Sequence, residues 1–328
     1  MNRKERIKQL DNVKWLLTLL IILYHIPYQG VSGAEEKLFM FIKNLGDCAV
    51  PAFAIISGFL FWVNVDNLYD VKVKMERRVF TLLVPYMLWN IINTLGLNLI
   101  NSRELKQEIF NINIWNHIIK WDSSPHFWYV FMLIFWTVFA PVLYAAYKDR
   151  RVFVLLLLSQ LIYLIYKGEG IYHSRFIYMI YTWGGHLGYS RPDIWNRIID
   201  LKGKRILSLG TVTLYFTCCF FIAAVDIGMQ IKVWVYALKA VLFIIFTINL
   251  PFWGIGKMTI LKYSFWIFAV HYWLDHFVSI LVGRYINGVI YQLATWLLVF
   301  VIALLSGKFI NKVCPNIFRV LNGDRANV

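Results

Sequence analysis

Ten apolar segments, each close to the length needed to cross a lipid bilayer, follow one another along the chain of 328 residues. A hydrocarbon core about 30 Å thick requires roughly 20 apolar residues in a helix. The pattern therefore predicts an all-α integral membrane protein with about ten transmembrane helices. The predicted segments are about 12 to 30, 46 to 65, 79 to 100, 127 to 147, 152 to 168, 175 to 190, 205 to 225, 232 to 253, 260 to 283 and 288 to 310.

Basic residues between these segments predict the orientation of the chain. If the N-terminus lies in the cytoplasm, about two thirds of the 33 Lys and Arg fall in cytoplasmic loops, as the positive-inside rule requires. Both termini are therefore predicted to be cytoplasmic. The first apolar segment has no small-residue cleavage site after it, so we interpret it as a retained span rather than a signal peptide. No attached soluble domain is predicted, and residues 1–328 are interpreted as one membrane domain.

Composition supports the membrane interpretation and argues against two other classes. The chain is 59% hydrophobic and only 16% charged, whereas soluble domains average about 25% charged residues. Its net charge of +15 is divided among short loops, so no nucleic-acid partner is predicted. The four cysteines form no CxxC pair, and neither a metal site nor a disulfide framework is expected.

The longest predicted outer segment, 101 to 126, carries apolar residues at helical spacing. These residues are Leu105, Ile109, Ile112, Trp115 and Ile119. An interfacial helix over the outer mouth of the bundle is one hypothesis, and an ordinary loop is the other.

The first predicted span carries two ionisable residues, Lys14 and His25. Eleven residues at about 100° each are three turns and about 20°, so both residues lie on one face of a helix, roughly 16 Å apart along its axis. Lys14 would lie near the cytoplasmic headgroups and His25 in the outer half of the membrane. Lys14 could simply extend to the interface and His25 could be a hydrogen-bonded interior residue. Ionisable groups inside membranes are nevertheless candidates for function, because their burial is costly.

Five motifs, in order, resemble the membrane-bound acyltransferase 3 family. The first is LDNVKWLLTLLIILYH, in which a basic residue and a histidine are separated by ten residues. The others are VPAFAIISGFLFW from Val50, RRVFTLLVPYMLW from Arg77, HFWYV from His126, and SFWIFAVH ending at His271. Together they are distributed from Leu10 to His271, which is most of the sequence.

This resemblance implies an enzyme of the cytoplasmic (inner) membrane that transfers an acyl group, usually acetyl, from cytoplasmic acyl-CoA to a hydroxyl of a cell-surface or lipid-linked glycan. Acetyl-CoA would be a co-substrate, with no bound cofactor and no metal. The resemblance implies that His25 is the catalytic histidine and Lys14 its basic partner, with Arg77 and Arg78 as further acyl-CoA-binding residues. His25 would either deprotonate the acceptor hydroxyl or itself carry the acyl group. A glycan transporter of the same fold, without acyl transfer, is the alternative.

The sequence departs from the family pattern at two positions. Most members have Arg where this chain has Lys14, and lysine cannot make the planar bidentate contact of arginine. The family often has Arg-x-x-Arg before the third span, whereas here Arg78 is followed three residues later by Thr81. The basic cluster at Arg77 and Arg78 is interpreted either as a phosphate-binding site or as a topology signal alone.

Two acidic residues are candidates for orienting His25, as a catalytic histidine commonly requires. Asp47, at the start of the second span, and Asp275, in the ninth, lie at suitable depths. His271 and Asp275 are four residues apart on one helical face, so they could instead pair with each other. Asp275 and His271 are also candidates for the acceptor site.

The remaining candidates have mixed interpretations. Ser57 and Gly58 are interpreted as small residues that let helices approach closely, with a direct substrate contact of Ser57 as the alternative. His126 and Trp128 either stack with a sugar at the outer mouth or belong to the aromatic belt expected at the membrane interface. Asp11 is interpreted as a structural residue that caps the first helix or orders the basic loop.

Overall fold

The structure is a computed structural model that describes residues 3–100, 125–166, 172–194, 197–198, 205–249 and 259–323. These residues form helices, turns and connecting segments and contain no β-strand. The predicted interfacial segment of residues 101 to 126 lies outside the described residues up to position 124. The principal helices are α1 Arg3–His25, α2 Gly33–Lys43, α3 Ala49–Trp62, α4 Leu68–Arg78, α5 Val84–Ile100, α6 Trp128–Val138, α7 Ala140–Lys148, α8 Arg150–Tyr166, α9 Tyr172–Ser190, α10 Arg205–Ala224, α11 Met229–Asn249, α12 Ser264–Val282, α13 Gly288–Val313 and α14 Pro315–Leu321.

The predicted fold class is confirmed in its coarser form, because the described chain is helical and several of its helices suit a membrane. Four helices within the described ranges are long and apolar enough to cross one. A fifth is possible if α6 and α7, which meet at an angle of 63°, act together as one broken span. Helices occupy all ten predicted segments, but the count of ten spans and the cytoplasmic termini stay predictions. The four helices are Leu68–Gly96, Met229–Ile248, Ile260–Val282 and Gly288–Val313.

The boundaries of the first helix differ from the prediction. α1 begins at Arg3, well before the apolar segment, and ends at His25. Its end follows from Pro27, because a proline disfavours helical backbone in the residue before it. His25 therefore lies at the last position of an unbroken helix that also contains Lys14, which preserves their predicted separation of roughly 16 Å along the axis.

The third predicted span extends further toward its N-terminus than expected. Asn67 and Asp70 form a reciprocal capping box that starts α4. The helix then continues through a π-helical turn, Val79–Leu83, into α5. Arg77 and Arg78 consequently lie in a continuous helix instead of a loop, and their side chains have fixed directions.

Glycines allow α3 and α9 to cross at very short distance. A Cβ atom on Gly58 would overlap the carbonyl oxygen of Tyr181. Reciprocally, a Cβ on Gly184 would overlap the carbonyl of Ile55, and one on Gly188 the carbonyl of Phe59. Small residues permit such close approach between membrane helices. The geometry agrees with a structural role for Gly58.

Helix α1 lies at the centre of the bundle. It packs against α3, α11, α12 and α13, and α12 and α13 pack along each other. Trp296 of α13 donates a hydrogen bond to the carbonyl of Leu19 (2.9 Å), which ties α13 to the middle of α1. The ionisable face of α1 is thereby enclosed by other helices.

Candidate functional site

A cavity of about 360 Å³ opens beside the middle of α1. Its wall combines polar residues, two of them cationic, with apolar residues that are both aliphatic and aromatic. The polar lining residues are Lys14, Thr18, Ser57, Arg78, Thr81, Tyr129 and Ser264, and the apolar ones are Phe53, Leu60, Leu82, Val130, Leu133, Phe265 and Phe268. Such a cavity suits a ligand with an anionic and an apolar part.

Arg78 supplies a cation whose described hydrogen bonds go to neutral oxygens. Its guanidinium donates to the hydroxyls of Thr137 (3.4 Å) and Tyr181 (3.5 Å) and to the carbonyl of Ser57 (3.3 Å). It also lies over the ring of Phe61, 4.5 Å from the centroid. These contacts hold the guanidinium in place without neutralising its charge, so it remains suited to an anion.

Lys14 is the second cation of the cavity, and its charge is already partly balanced. Its ammonium group lies 2.6 Å from a carboxylate oxygen of Asp11, one turn earlier in α1. The prediction that Asp11 caps the first helix is wrong, because α1 begins at Arg3 and Asp11 lies inside it. Asp11 instead fixes the side chain of Lys14 at the cavity wall.

The two adjacent arginines have different environments. Arg78 lines the cavity, whereas Arg77 is exposed and is not among the lining residues. Of the predicted pair, the structure brings only Arg78 together with Lys14. Ser57 also lines this cavity, and its hydroxyl is hydrogen-bonded to the phenol of Tyr129 (3.0 Å) in the same wall.

Three histidines form a cluster at the C-terminal end of α1. The ring of His271 lies between those of His25 and His126, with centroid separations of 5.2 Å and 5.1 Å. Tyr272 stacks on His126 and contacts His25 edge-on, 6.0 Å away. His25 is half-buried, whereas His126 and His271 are almost fully buried.

The predicted pairing of His271 with Asp275 is not formed in the described structure. Nδ1 of His271 donates to the carbonyl of Phe268 (2.6 Å) instead, and its Nε2 has no hydrogen-bond partner among the described residues. The two carboxylate oxygens of Asp275 likewise have no described partner. With Nδ1 as the donor, Nε2 of a neutral His271 is left as an acceptor within the cluster.

Phe268 separates the cavity from the histidine cluster. It lines the cavity, and its ring lies 6.5 Å from that of Tyr129 in the same wall. On its other side it contacts His126 at 5.4 Å and His271 at 5.8 Å. A group that reaches from the cavity to His25 must therefore pass this ring.

Asp47 is placed differently from the sequence-based hypothesis. It forms an ion pair with Lys239 of α11, and both side chains are completely buried. Lys239 also donates to the carbonyl of Asn44. The structure thus assigns Asp47 to a buried ion pair, and a role in orienting His25 has no support from its contacts.

The residues predicted at the outer mouth also differ from expectation. His126 is buried, and its Nε2 is hydrogen-bonded to the carbonyl of Ala269 (3.1 Å). Trp128 is half-buried and does not line the cavity. His126 therefore belongs to the histidine cluster, while stacking of a sugar on Trp128 stays a prediction.

Sequence reasoning did not single out Tyr129, Phe268, Tyr272 or Lys239. Phe268 lies in the fifth motif and Tyr272 directly follows it, but their roles depend on which helices pack beside them. Lys239 did carry a signal, because a lysine inside an apolar span indicates a buried partner.

In the described part of the chain, no group of three or more His, Cys, Asp or Glu is arranged to hold a metal ion.

The arrangement combines a cavity lined by two cationic side chains with a histidine cluster that Phe268 separates from it. Arg78 and Lys14 can hold an anionic group. An imidazole such as that of His25 is suited to accept a proton from a hydroxyl or to act as a nucleophile. Both functions lie along one helix, so a single extended ligand could contact them together.

Comparison with known proteins gives one match. A family model described as "Acyltransferase domain" matches residues 7–307. No curated protein and no solved structure matches the chain.

Proposed function

Because the chain belongs to this acyltransferase family, whose model covers most of its length, we propose that it is a membrane O-acyltransferase that uses acyl-CoA, in the simplest case acetyl-CoA, as donor. The acceptor is a hydroxyl of a cell-surface or lipid-linked glycan. One observation carries the proposal: the cavity wall holds the cations of Lys14 and Arg78 together with Phe268, whose ring contacts His271 of the histidine cluster. In this assignment the cavity holds the donor.

The chemistry of the donor fits the middle and the C-terminal end of α1, where Lys14 and His25 lie. Its phosphates are anionic and would bind Arg78 and Lys14 by charge-assisted hydrogen bonds. Its thioester lies at the end of the long pantetheine arm, which is comparable in length with the separation of roughly 16 Å between Lys14 and His25. Lys14 is predicted to lie near the cytoplasm, and this prediction supports a donor that is taken from the cytoplasmic side.

His25 acts on the acceptor or on the donor. In the first route its imidazole takes the proton of the acceptor hydroxyl, the oxygen attacks the thioester carbonyl, and the C–S bond breaks to release the CoA thiol. In the second route the imidazole nitrogen attacks the thioester carbonyl, and the C–S bond breaks to release the CoA thiol. The acceptor oxygen then attacks the acyl carbonyl, and the C–N bond breaks to form the ester and free the imidazole. Both routes require His25 near the thioester, and both consume one acyl-CoA per ester formed.

Transfer of labelled acetyl from acetyl-CoA to glycans tests this function. Membranes that contain the protein are expected to incorporate label with time, whereas membranes without it are not. Export of glycan without incorporation of label would instead favour the transporter alternative. Mild alkali should release the label from the glycan fraction as acetate, because it cleaves esters and leaves amides intact.

Substitution of Arg78 by glutamine is expected to weaken donor binding. A hydrogen bond to a charged group contributes about 1.5–3 kcal/mol, so we expect the KM for acetyl-CoA to rise roughly 10- to 100-fold. The neighbouring Arg77→Gln is the matched control, because that side chain is exposed and outside the cavity wall. Equal KM values for the two variants would contradict the assignment of the cavity.

Removal of the Phe268 ring is expected to change the preferred acyl length. In Phe268→Ala the space between the cavity and the histidines widens. We therefore expect the ratio of kcat/KM for butyryl-CoA to kcat/KM for acetyl-CoA to rise about tenfold. This change is within the discrimination that a hydrophobic pocket achieves for one additional methylene group. The ratio is measured within one variant, which makes it independent of the folded fraction. Phe277→Ala, an exposed position of the same helix, should keep the wild-type ratio.

A further inference from the structure

A second polar region lies on the side of the histidine cluster away from the cavity. Asp275 of α12 and Thr295 of α13 are almost completely buried, with 2% and 0% of their surfaces exposed. Both carboxylate oxygens of Asp275 and the hydroxyl of Thr295 have no hydrogen-bond partner among the described residues. Asp275 lies one helical turn beyond His271, whereas the cavity residues Phe265 and Phe268 precede His271.

The helix pairing brings these groups together. Trp266 of α12 donates to the hydroxyl of Ser306 (3.0 Å), and Tyr291 lies beside Ser279 at the other end of the helix pair. This antiparallel register places Thr295 opposite Asp275. Tyr291 is also close to Asp275, so one carboxylate and three hydroxyls face one another between α12 and α13.

The region adjoins the end of α1 that carries His25. The phenol of Tyr291 is 3.4 Å from the carbonyl of Pro27, two residues after His25. The ring of His271, one turn from Asp275, contacts His25. His25 therefore has the donor cavity on one side and this polar region on the other.

Buried polar groups without partners cost free energy, and folded proteins retain few of them. The protein keeps several such groups together next to its histidine cluster. A ligand hydroxyl can donate to a carboxylate and accept from a hydroxyl, so it would satisfy both kinds of group found here.

We propose that Asp275, Ser279, Tyr291 and Thr295 form a subsite for the hydroxyl groups of the acceptor. The inference rests on the proposed acyltransferase function and adds the location of the second substrate. Asp275 accepts a hydrogen bond from the acceptor, and the serine, threonine and tyrosine hydroxyls bind its neighbouring oxygens. The acceptor hydroxyl that reacts would then lie toward His25.

The test uses Ser279→Ala and Thr295→Val, which remove buried hydroxyls and keep an apolar group of similar volume, together with Asp275→Asn. Three properties are measured: the melting temperature, the Kd for acetyl-CoA, and transfer of labelled acetyl to the membrane glycans. We expect the first two variants to keep or raise the melting temperature, to keep the Kd, and to lose at least tenfold in transfer. Asp275→Asn is expected to lose at least as much.

Ser306→Ala is the matched control at the same helix pair. It removes a hydroxyl that accepts a hydrogen bond from Trp266, so the melting temperature should fall while transfer stays at the wild-type rate. If Ser279→Ala, Thr295→Val and Asp275→Asn all transfer acetyl at the wild-type rate, the subsite is overturned and the region is filled by water alone. The acyltransferase proposal would remain intact. Absence of transfer by the wild-type protein would overturn the acyltransferase proposal and the subsite with it.

Discussion

Substitution of His25 by alanine is expected to lower the rate of acyl transfer by about a hundred- to ten-thousandfold. A sugar hydroxyl is a weak nucleophile until a base removes its proton. His25 is the half-buried imidazole of the histidine cluster, and its ring contacts that of His271. The same loss is expected if His25 carries the acyl group itself, because the covalent route needs the same nitrogen. Initial rates of labelled acetyl incorporation measure the effect.

His276→Ala provides the matched control for this substitution. His276 is on the same helix as His271 but is exposed and directed away from the cluster. Its substitution should leave the rate of acetyl transfer within about twofold of the wild-type rate, because surface substitutions rarely change the stability of a protein by much. The catalytic role of His25 would be excluded if His25→Ala transferred acetyl at the wild-type rate. For this comparison the variant must have the elution volume and the melting temperature of the wild type.

Substitution of Lys239 by methionine is expected to destabilise the fold by about 3–5 kcal/mol, the typical cost of removing one partner of a buried ion pair. The carboxylate of Asp47 would remain buried without its cation, and the carbonyl of Asn44 would lose its donor. The change in the free energy of unfolding is measured by denaturant titration of the purified protein. Because the pair lies apart from the cavity wall, the folded fraction should keep its KM for acetyl-CoA.

The double variant Asp47→Asn with Lys239→Met separates the cost of an unpaired charge from the value of the pair. It is expected to recover most of the lost stability, because replacement of a whole buried pair is often close to neutral. Lys232→Met, which removes the partner of the fully exposed Asp226, should change little. Similar stability of the Lys239→Met and Lys232→Met proteins would contradict the structural role of the buried pair.

The parts of the site that follow from local helical geometry could be predicted from the sequence. Lys14 and His25 lie on one unbroken helix because their spacing and the apolar run between them fix that arrangement. Gly58 could be interpreted as a packing residue because it is a small residue within an apolar span. These conclusions need only the periodicity of the α-helix and the length of a span.

The parts that depend on long-range packing could not be predicted. Arg77 and Arg78 are adjacent and equally basic, and their directions depend on the helix that runs from the capping box into the π-helical turn. The partner of Asp47 is 192 residues away, so local spacing could not identify it. Asp11 was assigned to a helix start because the apolar segment begins there, whereas the helix itself starts earlier.

The central claim is that one cavity holds acyl-CoA with its phosphates at Arg78 and Lys14 and its acyl group directed at His25. The most direct measurement is an experimental structure of the protein with a hydrolysis-resistant acetyl-CoA analogue. We predict density for the phosphates beside Arg78, for the pantetheine arm along the apolar wall, and for the acyl carbonyl within contact of His25 past a displaced Phe268 ring. An analogue bound elsewhere, with this cavity empty, would contradict the account.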